Sequence, residues 1–390
     1  MATVNFLAPA PGATFSTRSG NYTADSNSLI SNVAITGSSI IDLLAEGCIP
    51  LAFNASANFR DLLDGGDFTV APWQRNVAGL ASAGAIASAI TNTATYFADR
   101  WFHVAGASGS VTPAKATDTA VAGYNVALKV QRTAANTDTT AIQTGQILEG
   151  GDSIRCQGQY LTFSILAKAG PNFSAAGNTL TASIVGGTGS NQSAANLIAG
   201  SWTGQATLAT QAFTLTNGYN RFVVTTTAPV PATITELAVL LSFTPVGTAG
   251  TDDSFSLLDT QLELGSVATP WERRDVQVEL EICQRYAWVI AEPASSVVVA
   301  SGSVSASNTE IFYLALPVQM WKAPAVTAVV GAFKVNSSTA GVVAATGLTG
   351  NATHTSTTVG LTSTGTGTAG QAALLQGGGG SGYVVVSADF

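Results

Sequence analysis

Apolar and polar positions alternate along much of the chain. The clearest run is residues 258–264, where Leu258, Leu262 and Leu264 fall on one side of an extended strand and Asp259, Gln261 and Glu263 on the other. Phe163, Ile165 and Ala167 alternate in the same way with Thr162, Ser164, Leu166 and Lys168. Similar runs predict strands over 124–131, 160–168, 179–185, 212–216, 221–227, 236–243 and 255–263, separated by Gly/Ser/Asn-rich turns such as 186–191. Many short strands joined by small-residue turns predict an all-β fold, an antiparallel β-sandwich of jelly-roll type over residues 60–271. Beyond residue 287, apolar runs at 288–290, 296–299, 310–316, 325–330 and 383–390 predict a C-terminal β-domain over 288–390.

One helical pattern stands between the two. Gly265 and Ser266 end the Leu258 strand, and Thr269-Pro270-Trp271-Glu272 reads as a capping box opening a short connecting helix over 272–287. Val276, Leu280, Cys283 and Ala287 then lie on one stripe. The Ala-rich stretch 81–90 fits either a helical turn or a loop. Residues 1–59 form a separate piece, with a stiff opening at Pro9-Ala10-Pro11-Gly12, short strands over 22–30 and 33–36, and a short helix over 40–48. The Thr/Gly-rich stretch 346–370 has almost no large side chains, so its strands are expected to find their core among neighbouring copies, in a homotrimer.

Composition narrows the function. Charged residues are only 10% of the chain while hydrophobic ones make up 46%, which suits β-strands and surfaces covered by neighbouring subunits, not a disordered chain. The net charge of -8 and the lack of any Lys/Arg cluster beyond Arg273-Arg274 argue against a nucleic-acid partner. Cys48, Cys156 and Cys283 are too few and too scattered for a disulfide framework or a zinc site, so buried free thiols are expected. The N-terminal residues show neither a basic segment nor a long apolar run, and no membrane insertion is expected.

His103 and His354 are the only histidines, and no HExxH, GxSxG or phosphate-loop motif is present. Asp64, Asp67, Asp99, Asp252, Asp253, Asp259 and Glu263 could supply a pair of glycosidase carboxylates, so the residues alone leave such an enzyme open. Sugar binding on a β-sandwich calls for aromatic rings on exposed turns. Trp202, Phe173 and Tyr219 lie near turn-rich segments and are the expected ligand platforms, whereas Trp73, Trp101 and Trp271 are expected in the core.

The string at 261–286, QLELGSVATPWERRDVQVELEICQRY, carries a resemblance. Gln261, Leu262, Glu263, Gly265, Ser266, Ala268, Thr269, Pro270, Trp271, Glu272 and Arg273, followed by Glu279, Leu280, Cys283, Gln284, Arg285 and Tyr286, are similar to a junction phrase of bacteriophage and prophage tail-fibre proteins. The stretches 61–75 and 96–101 resemble further phrases of that family, with Asp64 where Asn is usual, and 317–324 resembles a phrase of tail-fibre C-terminal domains. The N-terminal piece resembles small modules of phage structural proteins.

The resemblance implies a virion fibre or head spike, made in the host cytoplasm and displayed on the particle surface. Its sandwich would be like a carbohydrate-binding module, its N-terminal segment would attach to other virion proteins, and it would bind host surface polysaccharide without enzymatic activity. A purely structural decoration or connector protein is the alternative, and a capsule-depolymerising spike a third. The resemblance also implies a structural Ca2+ held by Gly66, Asp67 and Asp259, since hard oxygen ligands suit that ion.

Overall fold

The computed structural model describes residues 3–7, 14–17, 20–23, 29–34, 49–50, 60–68, 71–75, 84–85, 92–106, 111–306, 309–330, 333–337, 341–350, 355–364, 367–380 and 382–390. The chain divides into a unit of residues 1–60 and a unit of residues 61–390. In the first, β1 (Thr3–Leu7) pairs antiparallel with β4 (Leu29–Ala34) and β5 (Ile49–Pro50), and β2 (Thr14–Thr17) forms a hairpin with β3 (Gly20–Thr23). The expected helix over 40–48, the Pro9–Gly12 opening and Cys48 lie outside the described residues.

The second unit opens with an antiparallel sandwich of two six-stranded sheets. Its strands in chain order are β6 (Gly84–Ala85), β7 (Thr95–Tyr96), β8 (Phe102–Val104), β9 (Val111–Thr117), β10 (Val126–Arg132), β11 (Ile142–Ile147), β12 (Leu161–Ala169), β13 (Thr179–Gly187), β14 (Ala206–Thr214), β15 (Asn220–Thr225), β16 (Glu236–Phe243) and β17 (Ser254–Leu264). The first sheet has the order β15-β12-β17-β10-β9-β6 and the second β14-β13-β16-β11-β8-β7. Inward residues of both sheets, among them Leu128, Val130, Phe163, Ile165, Leu257, Leu180, Ile184, Val239 and Leu241, make one apolar core. Burying each such side chain is worth about 1.5–3 kcal/mol. Phe68, Trp73, Phe97 and Trp101 close one end of it. The strands β8, β9 and β11 have no clean alternation and escaped the sequence reading, as did the short helices α1 (Gly150–Arg155) and α2 (Ala194–Ile198).

Several expectations around the junction are corrected. The alternation through Leu258 is broken by a bulge: the register against β12 shifts between Ser164 and Leu166, and Asp259 adopts φ 44°. Leu257 and Leu262 therefore face the core, and Leu258 is turned to the outer face. The helix α3 (Val276–Gln284) begins later than expected and is capped by Asp275, whose side chain accepts the Gln277 amide at 2.9 Å. Thr269 is instead bound to Glu263, through its amide at 2.8 Å and its hydroxyl at 2.6 Å. The buried side of α3 carries Cys283 of the expected stripe, with Ala287 beyond it also buried, but Val276 is exposed and Glu279 is buried in addition, because it accepts from the Gly65 amide and from Arg274. Trp271 is half-buried and not a core residue.

The C-terminal β-domain contains β18 (Ala287–Ala291), β19 (Val298–Ala306), β20 (Thr309–Ala315), β21 (Ala325–Val330), β22 (Lys334–Ser337), β23 (Gly341–Ala344), β24 (Thr346–Gly350), β25 (Thr358–Thr364), β26 (Ala372–Gln376) and β27 (Tyr383–Ser387). A three-stranded sheet, β18-β27-β21, packs against a seven-stranded one, β23-β22-β26-β19-β20-β25-β24. The Thr/Gly-rich segment finds a core inside its own chain: β25 pairs with β20, placing Val359 and Leu361 in one cluster with Phe312 and Leu314. The domain is pinned to the sandwich by its last residues. Asp389 is held by the Arg75 guanidinium, and the Arg100 guanidinium lies 5.4 Å from the Phe390 ring centroid.

Candidate ligand-binding face

The outer side of the first sheet gathers the polar chemistry of the sandwich. Because Ala167 and Ala169 face the core, Lys168 points outward, and its register partner Ser256 does the same. On the other flank of Ser256, Lys129 of β10 shares that side. Lys129 Nζ is paired with Asp252 at 2.8 Å, and Lys168 Nζ with Asp118 at 2.6 Å.

Asp118 follows β9, yet it reaches Lys168 on β12, with β10 and β17 between them in the sheet. The 118–125 connection therefore arches over the outer face. It is shaped by an Asx turn, in which the Ala120 amide donates to Asp118 Oδ1 at 3.0 Å, and by Gly123 at φ 89°. Beneath it Ala127 and Leu258 are fully buried, and Ser256 is nearly so.

Two tyrosines stand on this face, both half-buried. Tyr219 donates its hydroxyl to Asp118 Oδ2 at 2.9 Å, and Lys168 Nζ lies 4.7 Å from its ring centroid. Tyr124 donates to Asp259 Oδ1 at 2.6 Å. Burial and then the carboxylate neighbour push both phenols well above their ordinary values, so they stay protonated donors. Burial would raise Asp118, but hydrogen bonds from Lys168, the Ala120 amide and Tyr219 outweigh it and hold the carboxyl below the usual range. Asp252 is held low in the same manner by Lys129 and Ser254 against its burial. Burial raises Asp259, with Tyr124 and Arg221 opposing and Asp67 adding to the rise. Arg221 completes the face, donating to Ser164 Oγ at 2.7 Å and to the Thr269 carbonyl at 2.6 Å.

Of the three expected aromatic platforms, only Tyr219 lies on this surface. Trp202 is 3% exposed: its ring is packed with Val185, Leu197 and Ala238, and Nε1 donates to the Ser193 carbonyl at 3.1 Å. Phe173 is 7% exposed, in an aromatic cluster 4.8 Å from Phe243 and 6.3 Å from Phe255. Both are corrected to core residues, since turn-rich sequence around a ring says nothing about which layer the ring enters. Trp73 and Trp101 are fully buried as expected. Tyr124 was missed as a site residue: in sequence it reads as the first residue of a strand, and only the arch places it over Asp259.

The Gly66, Asp67 and Asp259 set brings its carboxylates within electrostatic reach of each other, but two of its oxygens are already engaged. The Gly66 carbonyl accepts both the amide and the hydroxyl of Thr260 at 3.1 Å, and Asp259 Oδ1 holds the Tyr124 hydroxyl. Ca2+ takes six to eight oxygens. Among the described residues no group of three or more His, Cys, Asp or Glu converges here or elsewhere, so these three residues as placed do not fit the ion. Cys156 and Cys283 are buried free thiols, and no helix of the described residues is long and apolar enough to cross a membrane.

No family model matches the chain, and no curated protein does. Similar solved structures include a CBM4 (19% identical, covering 43% of this chain and 87% of that one, TM-score 0.28). Others are the xylan-binding domain from CBM 22 (16%, 44% and 90%, 0.26) and TmCBM61 in complex with β-1,4-galactotriose (10%, 53% and 99%, 0.27). TM-scores at this level transfer neither a binding site nor a ligand to this chain.

Proposed function

We propose that the chain is a non-enzymatic glycan-binding protein, and that the outer face of the first sheet is where the sugar docks. The observation that carries this reading is the pairing of two half-buried tyrosines with carboxylates and cations on one solvent-facing sheet, Tyr219 with Asp118 and Lys168, and Tyr124 with Asp259. Rings offer apolar faces for pyranose C–H groups, and the surrounding donors and acceptors suit hydroxyls. Lys129, Lys168 and Arg221 stand beside Asp118, Asp252 and Asp259, so the face is close to neutral and favours an uncharged saccharide. The tail-fibre-like phrase at 261–286 supports a setting in a phage fibre or spike, where several copies would raise avidity for a weak single site.

The test is a glycan array followed by titration calorimetry with the full chain. Tyr219→Ala and Tyr124→Ala should each weaken binding about tenfold, equivalent to about 1.4 kcal/mol, while Val342→Ala, at an exposed position of β23 in the C-terminal domain, should leave it unchanged. Failure to bind any neutral polysaccharide would end this reading. Release of reducing ends from capsule polysaccharide would replace it with an enzymatic one. A virion lacking the protein at its surface would remove the adsorption role while leaving sugar binding intact.

A further inference from the structure

The turn that carries Tyr219 onto the outer face of the first sheet contains the chain's only Asn-Gly pair, Asn217-Gly218. It joins β14 to β15, and both residues are exposed. The residues around them are tied down. The Thr216 hydroxyl donates to the Gly218 carbonyl at 2.9 Å, and Asn220 Nδ2 donates to the same carbonyl at 3.0 Å and to Thr216 Oγ1 at 2.7 Å. The Thr216 carbonyl accepts the Ala169 amide at 2.8 Å, which sets the turn against the end of β12, next to Lys168. Among the described residues, neither the Asn217 side-chain amide nor the Gly218 backbone amide has a hydrogen-bond partner.

A side-chain carboxamide and the backbone nitrogen of the next residue are the two groups that close a five-membered imide. The closure is opposed by a side chain on that next residue and by hydrogen bonds that hold either group. Gly218 presents neither obstacle: it has no side chain, and the space where a Cβ would stand is empty to 4 Å. The chain's single Asp-Gly pair, Asp64-Gly65, places the same two groups in reach but fixes both. Asp64 is paired with Arg100 at 2.9 Å, and the Gly65 amide donates to Glu279.

We propose that Asn217 is a site of spontaneous deamidation, and that the reaction weakens the sugar-binding face. The Gly218 nitrogen attacks Asn217 Cγ, the bond from Cγ to the side-chain nitrogen breaks, and that nitrogen leaves with the Gly218 proton as ammonia. A succinimide remains, and water opens it. Attack of water at Cγ gives aspartate, and attack at the main-chain carbonyl gives isoaspartate, which adds a carbon to the backbone. Water is consumed, ammonia is released and no electron changes hands. Either product puts a carboxylate beside Lys168, whose Nζ holds Asp118 at 2.6 Å, while Asp118 receives the Tyr219 hydroxyl at 2.9 Å. An anion in the turn before Tyr219 competes for that lysine and loosens the ring's anchor. Isoaspartate also lengthens the loop that positions the ring. The effect on affinity rests on the glycan reading, whereas the modification itself does not.

The experiment keeps the full chain in mildly alkaline buffer at body temperature, samples it over days and maps its peptides by mass spectrometry. Asn217 should convert ahead of every other asparagine, with isoaspartate in excess and with heavy oxygen incorporated from labelled water, while Asp64 stays unchanged. Gly218→Ala should fold normally, since its Cβ meets nothing and its φ is outside the left-handed region. It should raise the barrier to ring closure enough to slow the conversion about tenfold. In calorimetric titration Asn217→Asp should bind glycan about two- to fivefold more weakly than the fresh chain. The aged chain should lose at least as much, and aged Gly218→Ala should keep its fresh affinity. An Asn217 that stays intact, or a conversion that Gly218→Ala does not slow, would overturn the site. Full affinity in both Asn217→Asp and the aged chain would overturn its effect on binding. A fresh chain that binds no glycan would end the glycan reading and the affinity effect with it, and the peptide map would still decide the modification.

Discussion

Arg132 is the side chain whose loss should disturb the sandwich most. It is 1% exposed and makes five hydrogen bonds: Nη1 to Asp253 Oδ2 at 2.7 Å and Ser174 Oγ at 3.0 Å, Nη2 to the carbonyls of Asn136, Asp138 and Gly247 at 3.0, 2.9 and 3.2 Å. Asp253, 0% exposed, keeps only the Ser174 amide without it. Arg132→Met preserves much of the volume but leaves a buried carboxylate unpaired. Breaking such a pair costs about 3–5 kcal/mol, which for a domain of this size is a fall in Tm of about 6–20 °C. Asp253 directly precedes β17, the strand that carries Ser256, Leu258 and Asp259, so glycan affinity should fall together with stability. Urea unfolding followed by tryptophan fluorescence measures the loss. Arg132→Met combined with Asp253→Leu removes both charges and should recover at least half of it. A loss below about 1 kcal/mol, or a double variant worse than the single one, would refute the reasoning.

Other perturbations have equally definite outcomes. Trp202→Ala should destabilise by about 3–5 kcal/mol through the cavity it leaves, and below its melting temperature should bind glycan as the unmodified chain does. Gly66→Ala places a Cβ 2.3 Å from the Thr260 carbonyl and should cost about 1–3 kcal/mol in chemical denaturation. Asp99, which bonds to Gln74 and the Arg75 amide, is raised by burial to about 6 against the lowering influence of Arg75 and Gln74. A folded value above the unfolded one of about 3.9 means that its contribution is complete below pH about 4 and is lost as pH rises through about 6. Stability measured from pH 7.5 down to 5 should therefore climb more steeply in the unmodified chain than in Asp99→Asn, by about 1–1.5 kcal/mol; parallel profiles would contradict the assignment.

What the sequence determined by itself was local. Apolar runs bounded by turn residues placed β12, β16 and β17 within a residue or two of where they lie, with period-two alternation holding in β12 and broken by a bulge in β17. The Gly/Ser/Asn turns, the free cysteines and the core positions of Trp73 and Trp101 were legible for the same reason: each follows from the residue's own conformational or solvation preference.

Tertiary structure decided whatever depended on distant partners. Leu258 left the core face because a bulge at Asp259 shifted the register, and no pattern within the strand signals that. Thr269 gave up its cap to bind Glu263, and Glu279 took the buried side of α3 because Gly65, more than two hundred residues away, needed an acceptor. Trp202 and Tyr219 stand in equally turn-rich sequence. One is core and the other lies on the face, because α2 closes over the first while the arch from Asp118 meets the second. Side-chain identity is set by neighbours in the chain, but exposure and charge pairing are set by neighbours in space, which is why the fold class was readable and the site was not.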